Sequence, residues 1–284
     1  MLNPLIAPLT LIGLFALLFG VERLAPLRTQ KHALFRRITV NIAVSVIALA
    51  TAAAVVSPSA DYILDNTARG GWGIACLVPL PEGGRAGLTF LLMDLSFYYW
   101  HMANHRVALL WRFHNAHHID PDLDVTTTYR FHFGEVALSA LFRTLQISLI
   151  GVSAGTFAVY ELVFQANTLF QHSNVRLPLR LERLINLVLV TPRMHGIHHS
   201  QVFYEANSNY SVVFSWWDRL HRTLRLNVPQ AEITVGIAGY SDPGDNTIRR
   251  VLSMPFGRQR PYWRRPDGTP IERTASVSGT GMKE

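Results

Sequence analysis

The chain has one cysteine and few charges. Among 284 residues only Cys76 carries a thiol, and 16% of side chains are charged. A single cysteine excludes an intramolecular disulfide and any thiolate metal site. Cys76 lies in WGIACLVPL without a basic or histidine neighbour, so it reads as an inert buried thiol. Soluble domains carry about a quarter charged residues. The deficit here, with 49% hydrophobic residues and a positive mean hydropathy, marks a membrane protein. The net charge of +7 comes without a Lys/Arg stripe interleaved with aromatics, which argues against nucleic acid as partner. Also missing are HExxH, the ExxH pair of soluble di-iron proteins, GxSxG, a P-loop and GxGxxG. With no flavin or nicotinamide motif, an oxidative enzyme built on this chain would draw electrons from outside. The N-terminus has no basic n-region or small-residue cleavage site, so the first apolar run reads as a retained span.

Leu5 to Val21 is a run of about seventeen uncharged residues, the lower limit for a spanning helix. ERLAPLRTQKHALFRR follows, a short basic loop that the positive-inside rule puts on the cytoplasmic side. Ile38 to Val56 is predicted as a second span, and Ser57 to Arg85 as an outer loop with few basic residues. A third span starts near Ala86 and runs into His101, which leaves His101 to His118 at the cytoplasmic end. Val136 to Phe170 is about 35 residues, roughly 52 Å as a helix, too long for one crossing of a core of about 30 Å. Split near Gly151, it forms a hairpin that returns His172 to the side of His132. Arg143 and Glu161 within it are expected to face protein, or each other. Arg176 to Val190 reads as an amphipathic interfacial helix. The expected architecture is all-α and polytopic, with about four spans and a histidine-rich helical cap on the cytoplasmic face. Residues 1–85 hold two N-terminal spans, 86–226 the segment that carries the histidine boxes, and 227–284 a C-terminal extension whose Ser/Thr/Gly tail is expected to be disordered.

In place of thiols the chain has histidine. His101 and His105 stand at HxxxH spacing, and His114, His117 and His118 form HxxHH. A second HxxHH comprises His195, His198 and His199. In a chain with 12 histidines one HxxHH arises by chance only about 0.02 times. Positions i, i+3 and i+4 share a helix face, with Cβ atoms about 5–6 Å apart, so each box presents imidazoles to one point. Imidazole suits Zn, Cu, Fe and Ni, and a single zinc site takes about four ligands. Eight boxed histidines are twice that, and two metal ions in an all-imidazole cage account for the number. His172, in FQHSN, is the natural ninth ligand. His132, in RFHFGE, reads as a tenth ligand or a group supporting one. His32 and His221 stand alone and read as ordinary structural histidines.

Asp94, Tyr98 and Asn209 are candidates to support this site. Asp94 lies two helical turns before His101, where its carboxylate could accept the second N–H of a metal-bound imidazole. Tyr98, Tyr99, Trp100 and Trp111 suit an interfacial aromatic belt, or a wall of the substrate site. Asn209 and Asp218 are placed to support the second HxxHH.

These segments resemble the fatty acid hydroxylase/sterol desaturase superfamily of membrane di-iron oxygenases. DLSFYYWHMANH, LWRFHNAHH, TTTYRFHFGE, FQHSN, TPRMHGIHH and NYSVVFSWWDRL follow one another as that family's segments do. The resemblance implies a non-haem centre of two iron ions, with O2 as co-substrate. It assigns ligation to His101, His105, His114, His117, His118, His172, His195, His198 and His199, with His132 matching a further family histidine. It implies electrons from a partner reductase through cytochrome b5 or ferredoxin, and a lipid substrate such as a sterol or fatty acyl chain that is hydroxylated or desaturated. It also implies a multi-pass protein of a bacterial inner membrane or the endoplasmic reticulum, with the metal site on the cytoplasmic face. Two departures bear on subfamily and substrate. His221-Arg222-Thr223 stands where Phe-Gly-Thr is common, and Ser211 stands where Gly is usual. The alternative class is a His-rich membrane metal-binding or transport protein, which would place polar residues along a path through several spans.

Overall fold

The apolar runs become helices and set the frame. After α1 (Ile6–Leu24), α2 (Leu34–Thr51) continues through a π-helical segment, Ala52–Val56, into α3 (Ser57–Gly70). A short α4 (Ile74–Leu77) precedes the long α5 (Glu82–Arg106) and then α6 (Ala108–His118). Next come α7 (Phe133–Ile150) and α8 (Ala154–His172). Shorter helices follow: α9 (Leu179–Asn186), α10 (Pro192–His198), α11 (Phe203–Ala206), α12 (Trp216–Leu220) and α13 (Ile248–Ser253). This computed structural model describes residues 5–273 and 281–282, and among them there is no β-strand. The all-α expectation holds. The tail expected to be disordered falls largely on residues 274–280 and 283–284, outside the described residues.

Three stretches are long and apolar enough to cross a membrane by length and composition: Ile6–Leu24, Leu34–Leu77 and Phe133–Ile150. Leu9, Ile12 and Leu17 on α1 are each more than 60% exposed, which leaves an apolar outer face. The predicted third span is a helix, α5, but it is not among the three, and neither is α8. Asp94 and the box histidines dilute α5, and Glu161, Gln165, Asn167 and Gln171 dilute α8. The predicted outer loop from Ser57 is helical as far as Gly70. Pro58 does not stop it: it directly follows the π-helical segment, where the hydrogen-bond ladder is already shifted. Cys76, expected to be buried, is exposed.

Gly151 divides the long apolar stretch where the sequence indicated. Its φ of +74° is a left-handed conformation that glycine adopts without a Cβ penalty. Ser153 then caps α8 by accepting the Thr156 N–H. The turn is pinned from outside by Gly73, where an added Cβ would lie 2.4 Å from the Gly151 Cα. Away from this turn the two helices share α5 and otherwise take different neighbours. α7 packs on α3, the π segment and α5, whereas α8 packs on α1, α5 and α10. Arg143 and Glu161 bridge them with an ion pair of 2.7 Å.

At the opposite end a buried polar platform closes the structure. Asp120, two residues past the first HxxHH, accepts from Arg37 at 3.0 Å, Asn41 at 2.7 Å and Thr127 at 2.7 Å. Arg37 also pairs with Asp124, and Arg130 donates to the Ala116 carbonyl inside α6 at 3.0 Å. Glu22, at the end of α1, accepts the backbone N–H groups of Val125 and Asn174. The platform thus ties the C-terminal end of α6 to α1 and α2. The C-terminal extension joins the same body: Ile237, Tyr240, Val251 and Met254 share a core with Val40, Val44 and Trp111.

Candidate metal centre

The ends of α5, α6, α8 and α10 meet, and each brings its histidines. His101, His105, His114, His118 and His198 form one buried group, and His117, His172, His195 and His199 a second. Within each group the ligand atoms lie within 4.8 Å of one another. The helical spacing divides each HxxHH between the two groups. His117 and His118 are adjacent on α6 and point about 100° apart, so they serve different groups. In the four-histidine group, His172 Nε2 lies 3.0 Å from His117 Nε2 and 2.9 Å from His195 Nε2. His199 Nε2 is 3.1 Å from His195 Nε2. Metal–imidazole bonds of about 2.1 Å put neighbouring donor atoms roughly 3.0–3.4 Å apart, close to these separations.

Several imidazoles are held from behind. The Nδ1 atoms of His101, His172 and His198 face the carbonyls of Tyr210, Thr168 and Ser208 at 2.7–2.8 Å. His114 Nδ1 faces the Glu135 carboxylate at 2.8 Å. A donor bond from Nδ1 places the proton there and leaves Nε2 with a free lone pair, the arrangement that metal-bound histidines show. The Nε2 atoms of His105, His114, His118 and His198 are buried with no hydrogen-bond partner. Such atoms cost about 1–3 kcal/mol each when left unsatisfied, and a shared cation would satisfy them together. Burial, reinforced by neighbouring imidazoles, pushes His117, His118, His195 and His199 well below the ordinary histidine value. Burial pushes His198 down to about 3. These five are therefore neutral at physiological pH, the form that ligates metal. The donor set fits two ions.

A cavity of about 620 Å³ leads to this centre. Leu11, Ile12 and Phe15 of α1 and Ala48, Leu49 and Val56 of α2 and the π segment make its apolar wall. Its inner end is lined by His101, His114, His117, His172 and His195. The Arg143–Glu161 pair stands in the wall between, beside Phe97 and Phe164.

The nine histidines expected as ligands are brought together; His132 is not. Its Nδ1 accepts the Gly134 N–H at 2.9 Å and caps α7, and its Nε2 donates to the Leu252 carbonyl at 3.0 Å. Both nitrogens are occupied, so it anchors a helix and the C-terminal extension. Asp94 also departs from expectation. Seven residues of helix are about 10 Å, too far from the His101 ring, while the backbone amides of Val213 and Phe214 and the Trp217 indole lie within reach. Asp94 accepts all three, at 3.3, 3.0 and 2.7 Å, and clamps α5 to the 212–217 segment. Tyr98 is fully buried and bonds Thr223 at 2.9 Å; Trp111 is 5% exposed and packs on His105 and His118. Neither belongs to a membrane belt.

Asn209 lies beside the second box. Its Nδ2 donates to the Met194 carbonyl, next to His195, at 2.8 Å, and its φ of 55° is one that asparagine tolerates. Asp218 accepts the N–H groups of Tyr210 and Ser211 and so sets the carbonyl that orients His101. Sequence reasoning missed Glu135; the one hint was a carboxylate following His132 at the start of an apolar run. His32 and His221 lie outside both groups, bonded to Asp122 and Tyr99. Arg222 takes the left-handed φ of 57° at the position where glycine is common.

Fold and site together define a class: a helical protein with membrane-type helices and two all-histidine groups able to hold metal at the end of an apolar cavity. Over residues 86–223 the chain matches the fatty acid hydroxylase family. It is 32% identical over 180 residues to an ornithine lipid hydroxylase of Rhizobium tropici, covering 63% of this chain and 52% of that one. It is 33% identical over 150 residues to an alkylglycerol monooxygenase of Xenopus tropicalis, covering 51% and 31%. With human cholesterol 25-hydroxylase it shares 28% over 137 residues, covering 48% and 49%. The matched segment thus spans about half or less of these relatives' own length. No solved structure matches the chain.

Proposed function

We propose that this protein is an O2-dependent lipid hydroxylase with a di-iron centre, set in a membrane with the histidines at the cytoplasmic face. The observation that carries this reading is the junction of an apolar cavity with nine buried histidines in two groups. The similar proteins are named for hydroxylation or monooxygenation of lipids, which favours an alcohol over an alkene as product. Bound iron would supply O2 activation, with the first group held by His101, His105, His114, His118 and His198 and the second by His117, His172, His195 and His199. The balanced reaction inserts one oxygen atom into a C–H bond and releases the other as water, consuming two electrons and two protons.

The chain's own residues do the rest. The α1 and α2 wall receives the lipid's apolar body without exposing it to water. Phe97, Phe164 and Trp100 restrict its path, and Glu135 and the three backbone carbonyls keep the rings aimed inward. Three apolar helices and the basic segment between α1 and α2 support membrane insertion in the proposed sense. A metal-transport reading is not favoured, because the histidines converge on one compact centre and are not spread along the helices. Lipid mass spectrometry of cells expressing the wild-type chain, His117→Ala or His198→Ala tests the proposal. A hydroxylated lipid is expected only with the wild type; the same product from both variants would refute it.

A further inference from the structure

If the centre is an oxygenase, electrons must reach it, and a continuous aromatic route leads to the five-histidine group from the C-terminal extension. Trp111 packs on two members of the five-histidine group, with ring centroids 4.9 Å from His105 and 5.4 Å from His118. On its other side it stacks on Trp263, at 5.6 Å and 25°. Trp263 is partly buried and carries Phe203 edge-on at 5.4 Å; Phe203 is 44% exposed and the adjoining Tyr204 71%. The Trp111 indole N–H is buried without a hydrogen-bond partner, so polar anchoring does not account for an indole there. Electron tunnelling falls steeply with separation, and every step of this route joins rings whose centroids lie no more than 5.6 Å apart.

The surface at the outer end is basic. Arg264 and Arg265 directly follow Trp263 and both are exposed; no carboxylate lies within ion-pair distance of either among the described residues, and the nearby exposed Asp267 is held low by Thr269 and in part by Arg265. Arg265 shares a pocket of about 320 Å³ with Lys31 and His32, from the basic segment between α1 and α2. The C-terminal extension, which lies outside the family match, therefore supplies both the outer indole and the charge around it.

We infer that this patch docks an acidic one-electron carrier protein, and that Trp263 and Trp111 bridge its electron to the five-histidine group. The inference rests on the di-iron reading. In each transfer the carrier is oxidised by one electron and the metal group is reduced by one; the indoles are a tunnelling medium and change no oxidation state. Two such transfers supply one turnover. The residues assigned here position a partner and a pathway; none contacts the substrate.

The test uses the full-length protein in detergent or nanodiscs, with an acidic [2Fe–2S] ferredoxin as the probe. Binding is measured first on metal-free protein. The Arg264→Glu/Arg265→Glu variant is expected to weaken ferredoxin binding about tenfold at low salt, with the difference shrinking as salt is raised. Trp263→Leu is expected to leave binding unchanged. In stopped-flow reduction of iron-loaded protein, Trp263→Leu is expected to slow electron transfer from reduced ferredoxin, while Trp263→Phe keeps most of the rate. Dithionite, which needs no docking, is expected to reduce all variants equally. Ferredoxin binding indifferent to the arginine reversal, or wild-type transfer through Trp263→Leu, would overturn the inference. So would loss of binding to anionic vesicles alone, which would assign the patch to the bilayer surface. Absence of any dithionite-reducible iron would instead strike the di-iron reading beneath it.

Discussion

The Glu135 carboxylate lies 2.8 Å from His114 Nδ1, on the side of the ring away from the other histidines. Among the described residues it is the one acidic side chain bonded to a ring of the two groups; behind His101, His172 and His198 the partners are backbone carbonyls. Loss of such a partner commonly lowers metal affinity about 10–100-fold. Glu135→Gln is therefore expected to give up metal from the five-histidine group when dialysed against a graded chelator series. Metal analysis across the series reads the shift. Unchanged retention would mean that the carboxylate does not orient His114.

The Arg143–Glu161 pair can be separated from the chemistry it flanks. Arg143→Met leaves a largely buried carboxylate without its cation, and breaking a buried pair costs about 3–5 kcal/mol. The expected result is a clear fall in the thermal unfolding midpoint in detergent. Arg143→Met/Glu161→Met is expected to recover most of it, because two well-packed apolar side chains can replace a buried pair at little cost. A double variant as unstable as the single one would show that the pair does more than neutralise itself.

Asp124 sets the acid limb of stability. Burial alone would raise its carboxyl, but Arg37, Thr126 and Arg23 outweigh that and hold it below 3.8. A carboxylate depressed in the folded state stabilises the fold above its unfolded value and loses that contribution as pH falls through the folded value. Stability is therefore expected to be intact at neutral pH and to fall below about pH 4. Asp124→Asn is expected to be less stable at neutral pH and to show a shallower acid limb. Parallel wild-type and variant curves would contradict this.

The cavity makes a steric demand. Ser139 lies one helical turn beyond Glu135 on α7 and lines the passage to the histidines. Ser139→Phe is expected to keep its metal while losing lipid turnover at least about tenfold. Metal content and product yield from the same preparation check it, and normal turnover would show that the lipid enters elsewhere.

What could be read in advance followed from periodicity. The i, i+3 and i+4 spacing of His114, His117 and His118 was enough to infer convergent rings, and a stretch too long for one crossing indicated the turn at Gly151. The roles of His132 and Asp94 were not legible. Each depends on which donors and acceptors the fold brings near, and those come from Leu252, Val213, Phe214 and Trp217, far along the chain. Helix α3 is not legible because Pro58 reads as a breaker, and the π segment that accommodates it has no sequence signature. Trp111 was assigned to a belt because its burial comes from the C-terminal extension, whose packing no local pattern announces.

The most direct measurement is a single reaction of purified, iron-loaded protein with a membrane lipid extract, a chemical reductant and isotopically heavy O2, analysed by mass spectrometry. The expected result is about two irons per chain and a lipid carrying one heavy oxygen atom, with neither signal complete in His117→Ala or His198→Ala. An iron-replete, reduced protein that leaves every lipid unlabelled would contradict the assignment of this centre to lipid hydroxylation.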